Sequence, residues 1–222
     1  MMSQAEQLKS EYRQRFSAAA AYRDQVWQIL CRQYFSRLVA KTDTLLDLCC
    51  GWGEFVNNIS AAKKYAMDLN PDAGVRLSSD VEFLHQDCSQ PWPLSSESLD
   101  VVFSSNFIEH LPDKAAVELT LKEAHRTLKV GGKIVLLGPN IRFVTSDYWD
   151  FWDHHIAMSD RSVAEILGLT GFQIEQQVDR FLPYTMSGSR HPPLAFVSAY
   201  LRVPTLWPFF GKQFLVVGKR VQ

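Results

Sequence analysis

The sequence predicts an α/β protein in which helices cover both faces of a mostly parallel, doubly wound sheet. Two features predict this class: short apolar runs alternate with segments of helical periodicity, and a glycine-rich turn joins the first run to the next helix. The turn reads Asp47-Leu48-Cys49-Cys50-Gly51-Trp52-Gly53-Glu54-Phe55. Glycine lets the backbone approach a ligand closely, and the free N–H groups of a helix start favour a polar or anionic group. We therefore expect a ligand at this turn.

The elements follow from periodicity. The amino-terminal forty residues are expected to be helical because Val26, Ile29 or Leu30, Tyr34 and Leu38 recur at helical spacing. Two further helices are predicted over residues 113–129 and 161–170. Strands are predicted over residues 45–48, 65–68, 81–85, 99–103, 133–137, 172–178 and 213–219.

Turn residues set the expected ends of the two later helices. Gly131-Gly132 follows the first of them and Gly171 follows the second, as glycines at a helix C′ position do. Ser159 precedes the second helix and is expected to be its N-cap, because a serine oxygen accepts from free N–H groups of the first turn.

Polar and small residues follow each of the first four predicted strands. Ligands of such sheets bind beyond the carboxyl ends of the strands, at the point where the strand order reverses. The residues expected at this edge are Cys49, Gly51, Gly53, Asp68, Asp87, Cys88, Ser105 and Asn106.

Length and composition bound the function. The 222 residues suit one domain, with 1–42 as a helical amino-terminal cover and 180–211 as an aromatic, proline-rich insertion between the last two strands. The 23 basic and 24 acidic side chains give no electrostatic reason to expect nucleic acid. The start of the chain shows no basic-then-apolar signal, and the four cysteines show no C-x-x-C spacing. Free thiols and a cytoplasmic location are therefore expected.

Several stretches resemble, in order, the motifs of class I S-adenosylmethionine (SAM) methyltransferases. The glycine turn is similar to the family's acid-x-Gly-x-Gly-x-Gly motif, with Cys49 in the first glycine position. Val130 replaces a proline in the motif before the fifth strand. The similar stretches are Asp47–Gly53, Leu99–Phe103, Asn106–Leu111 and Arg126–Gly132.

This resemblance implies a seven-stranded Rossmann-like sheet whose last strand is antiparallel, SAM as cofactor, and in-line methyl transfer to a small-molecule or lipid- or sugar-linked acceptor. It implies that Asp68 binds the ribose, that Asp87 and Cys88 border the adenine, and that Arg23 meets the carboxylate of SAM. The implied SAM contacts are Asp47, Cys49, Gly51, Gly53, Asp68, Leu69, Asp87, Cys88, Ser105 and Arg23.

Cys49 is the main departure from the family pattern and leaves three interpretations open. The position could simply tolerate a small side chain, or the Cβ could weaken SAM binding. A reactive thiol is the third, although no cation lies nearby in sequence to lower its pKa.

His110 is the candidate general base, because it follows the fourth strand, where acceptor and methyl group should meet. The alternative is a histidine that only orders the loop. Asp150 and His154 could share a helix face, but two ligands are too few for a metal site, so no metal is expected.

The aromatic residues of the carboxyl-terminal half are expected to line an acceptor pocket. Tyr148, Trp149 and Trp152 would form one side, and Phe181 or Tyr184 the other; the alternative is that the aromatic run caps the sheet edge. The insertion is too short and broken to span a bilayer. It could pack on the sheet, cover the acceptor site as a lid, form a dimer face or touch a membrane.

Two other functions fit the same predicted fold. A nicotinamide-dependent oxidoreductase would need Gly-x-Gly-x-x-Gly, but Val56 stands three residues after Gly53. A SAM-binding protein without catalysis is the second alternative, and Cys49 is its only indication.

Overall fold

The computed structural model describes residues 20–184 and 191–222, which form one seven-stranded sheet between helices. The strand order is β3-β2-β1-β4-β5-β7-β6; β7 runs antiparallel to both neighbours, and the pairs from β3 to β5 are parallel. The predicted doubly wound sheet with an antiparallel last strand is confirmed. The strands are β1 (Thr44–Leu48), β2 (Lys63–Asp68), β3 (Val81–His85), β4 (Leu99–Ser105), β5 (Leu128–Pro139), β6 (Phe172–Leu182) and β7 (Gln213–Arg220).

Helices of very different length connect the strands. Short 3₁₀ turns add to them at Phe35–Arg37, Pro71–Arg76, Ile108–His110, Thr145–Asp150 and Pro204–Leu206. Of the predicted amino-terminal helix, residues 1–19 lie outside the described part of the chain. The α-helices are α1 (Ala20–Gln33), α2 (Glu54–Asn58), α3 (Lys114–Thr127), α4 (Ile141–Val144), α5 (Asp160–Leu169), α6 (Leu194–Arg202) and α7 (Trp207–Phe210).

Gly131 and Gly132 do not end α3, contrary to the sequence prediction. The helix stops at Thr127 and β5 begins at the next residue. The pairing of β4 with β5 shifts between Leu99 and Val101, and the glycines lie in the extra residues of β5. Gly131 has φ +85°, and a Cβ on Gly132 would lie 3.0 Å from the carbonyl oxygen of Asp100. The glycines are therefore required by a strand irregularity and a close backbone approach.

The core lies on both faces of the sheet because strand residues alternate in direction. One face packs on α3 and α5, and the other on α1, α2 and the insertion. The first face buries, among others, Leu46, Leu48, Val102, Ile134, Leu136, Val117, Leu121, Val163 and Leu167. The second buries Leu45, Val101, Phe103, Val135, Leu137, Leu30, Phe55, Leu201 and Trp207.

The amino-terminal helix and the insertion lie on the same face of the sheet and contact each other. Gln33 of α1 donates to Ser198 Oγ of α6 at 2.7 Å, and Tyr22 Oη donates to the Pro192 carbonyl at 2.7 Å. Together, α1 and the insertion form a roof over the carboxyl edge of the central strands.

Within residues 20–184 and 191–222, none of the helices has the length and apolar character that a bilayer crossing requires.

Candidate active site

A cavity of about 760 Å³ opens beneath this roof. The loops after β1 and β4 form its floor, and α1 with residues 182–184 and 191–210 forms its walls and cover. The sheet order reverses between β1 and β4, so the cavity lies where ligands of doubly wound sheets bind.

The glycine turn after β1 depends on left-handed backbone conformations. Gly51 has φ +55° and Gly53 has φ +77°, and Cys49 between strand and turn also has φ +55°. The φ of Gly53 strains any residue with a side chain, and a Cβ there would lie 2.5 Å from Leu77 Cδ2, so glycine is favoured. The residue at the first glycine position thus adopts the glycine conformation while carrying a side chain.

Asp68 holds this turn in place. Its Oδ2 accepts a hydrogen bond from the Gly51 N–H at 2.9 Å, and its Oδ1 accepts one from the Asn70 N–H at 2.8 Å. Burial raises the pKa of Asp68, and these backbone N–H groups act against that rise. The side chain does not line the 760 Å³ cavity, so its ribose role remains a prediction.

Asp47, by contrast, lines the cavity and is buried at the end of β1. Burial raises the pKa of this carboxyl well above its usual range, although the Val56 N–H donates to it. Its Oδ2 accepts no hydrogen bond from the described residues. Such an oxygen suits a ligand that brings a positive charge or a donor, as the ammonium and sulfonium groups of SAM would.

Arg23 of α1 reaches the same floor. It pairs with Glu54, the first residue of α2, at 2.9 Å, and both line the cavity. Arginine presents several donors in a planar fork, so a residue paired on one side can still meet an anionic ligand group. Its proposed contact with the SAM carboxylate stays a prediction.

The remaining predicted cofactor residues lie beside this floor rather than along the cavity. Gly53, Leu69, Asp87 and Cys88 do not line it. Asp87 Oδ1 accepts from the backbone N–H and the hydroxyl of Ser89, which shapes the loop after β3. Cys88 Sγ lies 3.7 Å from Cys49 Sγ, which links that loop to the glycine turn.

The surroundings of Cys49 do not activate its thiol. Burial, followed by the hydrogen bond with Cys88, raises its pKa well above the usual thiol range, so the nucleophilic thiolate is disfavoured. All four cysteines are free. The geometry therefore gives no support to the reactive-thiol interpretation.

The loop after β4 supplies a second set of polar groups. Ser105 and Asn106 line the cavity; Asn106 has φ +51°, a conformation that asparagine tolerates better than most residues. The Asn106 side chain donates to Ser105 Oγ at 2.9 Å, whereas its Oδ1 is buried and accepts no hydrogen bond from the described residues. Glu109 and His110 follow in a 3₁₀ turn and line the cavity too.

His110 is held by Asp153. Its Nδ1 lies 3.0 Å from the Asp153 carbonyl oxygen and 3.2 Å from Asp153 Oδ2. Burial alone would lower the pKa of His110, but the hydrogen bond to Asp153 and the charges of Glu109 and Asp153 outweigh it, and the pKa is raised. A carbonyl oxygen can only accept, so Nδ1 carries the hydrogen and Nε2 carries the lone pair of the neutral ring.

His154 joins Glu109 and His110, which the sequence interpretation did not foresee. The Glu109 carbonyl accepts the N–H groups of His155 and Ile156 at 2.8 and 3.2 Å, and this draws the segment after the aromatic run onto the loop after β4. The rings of His110 and His154 lie 4.9 Å apart. Asp150, the partner considered for His154 from sequence, lies exposed at the surface.

The aromatic lining differs from the predicted one. Tyr148 is fully buried and donates to the Ile156 carbonyl, Phe181 is buried in the core, and Trp149 and Trp152 are exposed. None of these four lines the cavity. Tyr184 does, as predicted, and the run contributes Phe151 instead.

Comparison with known proteins shows the family to which this chain belongs. A family model described as a methyltransferase domain matches residues 46–136. The chain is 30% identical over 196 residues to the malonyl-[acyl-carrier protein] O-methyltransferase of Dechloromonas aromatica, covering 77% of this chain and 70% of the relative. The chain belongs to the class I SAM-dependent methyltransferase family. Its cofactor is SAM, and the nicotinamide-dependent alternative is set aside.

Solved structures of SAM-dependent methyltransferases share the fold. A chain from the complex between the Haloferax volcanii Trm112 methyltransferase activator and a methyltransferase has a TM-score of 0.68 at 20% identity, covering 92% of this chain and 94% of that one. A SAM-dependent methyltransferase from Archaeoglobus fulgidus has a TM-score of 0.66 at 19% identity, covering 89% and 94%. At these identities the likeness supports the fold alone.

Proposed function

We propose that this enzyme methylates a small-molecule or lipid- or sugar-linked acceptor that carries an apolar group. The observation that supports this proposal is the continuity of the cavity. It runs from the glycine turn and Asp47, past Glu109 and His110, to apolar walls formed by the insertion. A pocket with one polar end and apolar walls suits a ligand with the same division.

The polar floor is assigned to the cofactor. SAM, when bound, supplies an activated methyl group on a sulfonium. Asp47 would face its positive charge, Arg23 its carboxylate, and Gly51 would let the backbone pass close to it. Asp68 would accept from the ribose while it braces Gly51. This assignment fits the buried Asp47 oxygen, which accepts no hydrogen bond from the described residues.

The protein's remaining contribution is positioning. Cofactor and acceptor would share the same cavity, and holding two reactants in line can supply roughly 7–11 kcal/mol of the barrier. His110 acts on the acceptor through Nε2, because Nδ1 is committed to Asp153. As a general base it would contribute about 10²–10⁴-fold for an acceptor that carries a proton.

The segment 194–210 supports an apolar acceptor group. Phe196 and Phe210 line the cavity and are 67% and 60% exposed, so the apolar wall continues to the protein surface. Exposed apolar side chains at a cavity mouth are typical of a site that receives an apolar ligand or touches a lipid surface.

The four free thiols support a reducing compartment such as the cytoplasm.

Calorimetry and a labelling screen test the proposal. The purified protein is titrated with SAM, with S-adenosylhomocysteine and with NAD; the first two should bind and NAD should not. Methyl-labelled SAM is then incubated with fractionated lipid, glycolipid and small-molecule extracts. Malonyl-[acyl-carrier protein] is included because the Dechloromonas aromatica relative is an O-methyltransferase of that name. NAD binding without SAM binding would contradict the proposal, and label confined to highly polar acceptors would contradict the apolar group.

A further inference from the structure

Three side chains with metal-ligating atoms meet at the polar end of the cavity. Glu109, His110 and His154 each offer one ligand atom, and these atoms lie within 4.8 Å of one another. All three residues line the cavity. The sequence interpretation expected no metal because it paired His154 with Asp150, which lies elsewhere.

Both histidine rings are oriented by backbone carbonyl groups. Nδ1 of His154 lies 2.7 Å from the Tyr148 carbonyl oxygen, and Nδ1 of His110 lies 3.0 Å from that of Asp153. Each Nδ1 must therefore carry the hydrogen, and each Nε2 carries the lone pair. Histidines that bind metals show this arrangement, because the second ring nitrogen donates to a carbonyl or carboxylate and fixes the tautomer.

Glu109 adds a carboxylate that the protein buries. It is 3% exposed, and the charged neighbours that act on it are His110 and Asp153. A buried carboxylate is costly unless hydrogen bonds or a cation compensate its charge. The buried Oδ1 of Asn106, which accepts no hydrogen bond from the described residues, lies in the same loop and lines the same cavity. An oxygen of this kind is also suited to a cation.

We propose that Glu109, His110 and His154 bind a divalent transition-metal ion, and that its open coordination positions hold an oxygen atom of the methyl acceptor. Two imidazoles and one carboxylate favour Mn²⁺, Fe²⁺, Co²⁺ or Zn²⁺ over Mg²⁺ or Ca²⁺, which prefer oxygen ligands. The metal site itself is independent of the proposed function, and only the binding of the acceptor oxygen rests on it. A ligating Nε2 cannot also accept a proton, so the general-base role of His110 described above applies only to the protein without a bound metal ion.

Cobalt is the probe, because Co²⁺ bound by nitrogen and oxygen ligands shows visible d–d absorption. The full chain is treated with a chelator, dialysed and titrated with CoCl₂. The wild type should bind about one equivalent. His154→Gln and Glu109→Gln should weaken Co²⁺ binding by about 10–100-fold or more. His155→Gln is the matched control, because His155 is the exposed neighbour of His154. It should bind Co²⁺ as the wild type does.

SAM titration of the same samples separates folding from metal binding. Variants that keep SAM affinity while losing cobalt affinity support the site. A wild type that binds SAM but gives no d–d absorption at millimolar Co²⁺ would overturn it, whatever the variants do. Equal loss in His155→Gln and His154→Gln would also overturn it, because surface histidines would then bind the ion. Cobalt binding without SAM binding would leave the metal site standing and contradict the proposed function.

Discussion

Asp68 shows how a single residue can serve the ligand and the protein at once. The resemblance assigns it to the ribose, yet in the structure both of its oxygens accept backbone N–H groups, one of them from Gly51. A carboxylate oxygen has room for more than one donor, so the two roles are compatible. The sequence indicates the first role, because an acid after the second strand is a local pattern. The second role, which is to accept the Gly51 N–H, depends on where two loops meet.

Asp68→Ala should weaken SAM binding by about 1.5–3 kcal/mol for each charge-assisted hydrogen bond that the substitution removes. The weaker binding arises both from the missing ribose acceptor and from a looser Gly51 turn. Calorimetry with SAM measures the effect. Glu82→Gln is the control, because Glu82 forms an exposed ion pair with Lys63. Unchanged affinity in a folded Asp68→Ala protein would mean that the ribose binds elsewhere.

Cys49 allows a test of backbone strain at the first glycine position. Its φ of +55° costs a non-glycine residue about 1–2 kcal/mol, whereas glycine there loses about 0.5–1 kcal/mol in conformational entropy. The free energy of unfolding of Cys49→Gly should therefore lie within about 0.5 kcal/mol of the wild-type value or above it, and SAM affinity should be kept.

The neighbouring Cys50 supplies the matched control, because it is buried and outside the left-handed region. Cys50→Gly should lose about 1–2 kcal/mol, since it removes a buried side chain and adds chain entropy without relieving strain. Chemical denaturation measures both variants. Equal losses in the two would contradict the strain argument at Cys49.

At the scale of elements, the structure agrees with the sequence wherever the signal is local. The strands can be placed from sequence because each is an apolar run between turn residues, and Ser159 caps α5 as expected, accepting from the Ser162 N–H. The start of β5 lies earlier than predicted. Gly131 and Gly132 look like a helix stop, but Gly131 is required by its φ of +85° and Gly132 by the approach of the β4 backbone, which only the paired sheet reveals.

The buried carboxyl of Asp160 joins three elements to α5 by hydrogen bonds. It accepts from Asn140, Arg142 and Gln177, each at 2.8 Å, and so ties α5 to the end of β5, to α4 and to β6. Burial alone would raise the pKa of Asp160, but these hydrogen bonds and the charge of Arg142 lower it. The charged carboxylate thus stabilises the folded state.

Asp160→Asn should reduce the free energy of unfolding by about 2–3 kcal/mol near neutral pH. Because the folded pKa is depressed, the stabilisation is fully present above the unfolded pKa of about 3.9 and is lost as pH falls through the folded value. The difference between wild type and variant should therefore shrink below about pH 4. Denaturant unfolding between about pH 7 and pH 3 measures it. Asp147→Asn, which removes an exposed pair with Lys212, should cost under about 1 kcal/mol. A pH-independent difference would contradict the argument.

At the scale of the whole molecule, interactions between distant segments build the part of the site that sequence reasoning missed. The roof closes through Tyr22 and Pro192, which lie 170 residues apart, and His110 meets Asp153 across 43 residues. Such pairs leave no periodicity or spacing pattern in the sequence. Residues at the end of a strand or in the loop after it, such as Cys49, Gly51, Ser105 and His110, could be placed from sequence. The proximity of Glu109 to His154 could not be predicted in this way.

The exposed apolar side chains at the mouth of the cavity, called the rim here, are expected to bind an apolar group of the acceptor. Phe196 and Phe210 are large, lie at the mouth of the cavity and are more than half exposed. Covering a phenylalanine side chain fully is worth about 1.5–3 kcal/mol, and covering it partly about half of that, so Phe196→Ser or Phe210→Ser should weaken binding of a fluorescent long-chain acyl probe about 3–10-fold. SAM affinity should not change, because the cofactor floor lies at the other end of the cavity. Leu169→Ser is the control: Leu169 is 77% exposed at the end of α5, on the other face of the sheet. If short and long acyl probes bind equally well to the wild type, the walls do not select an apolar chain, and the rim is an interface with another protein or a membrane.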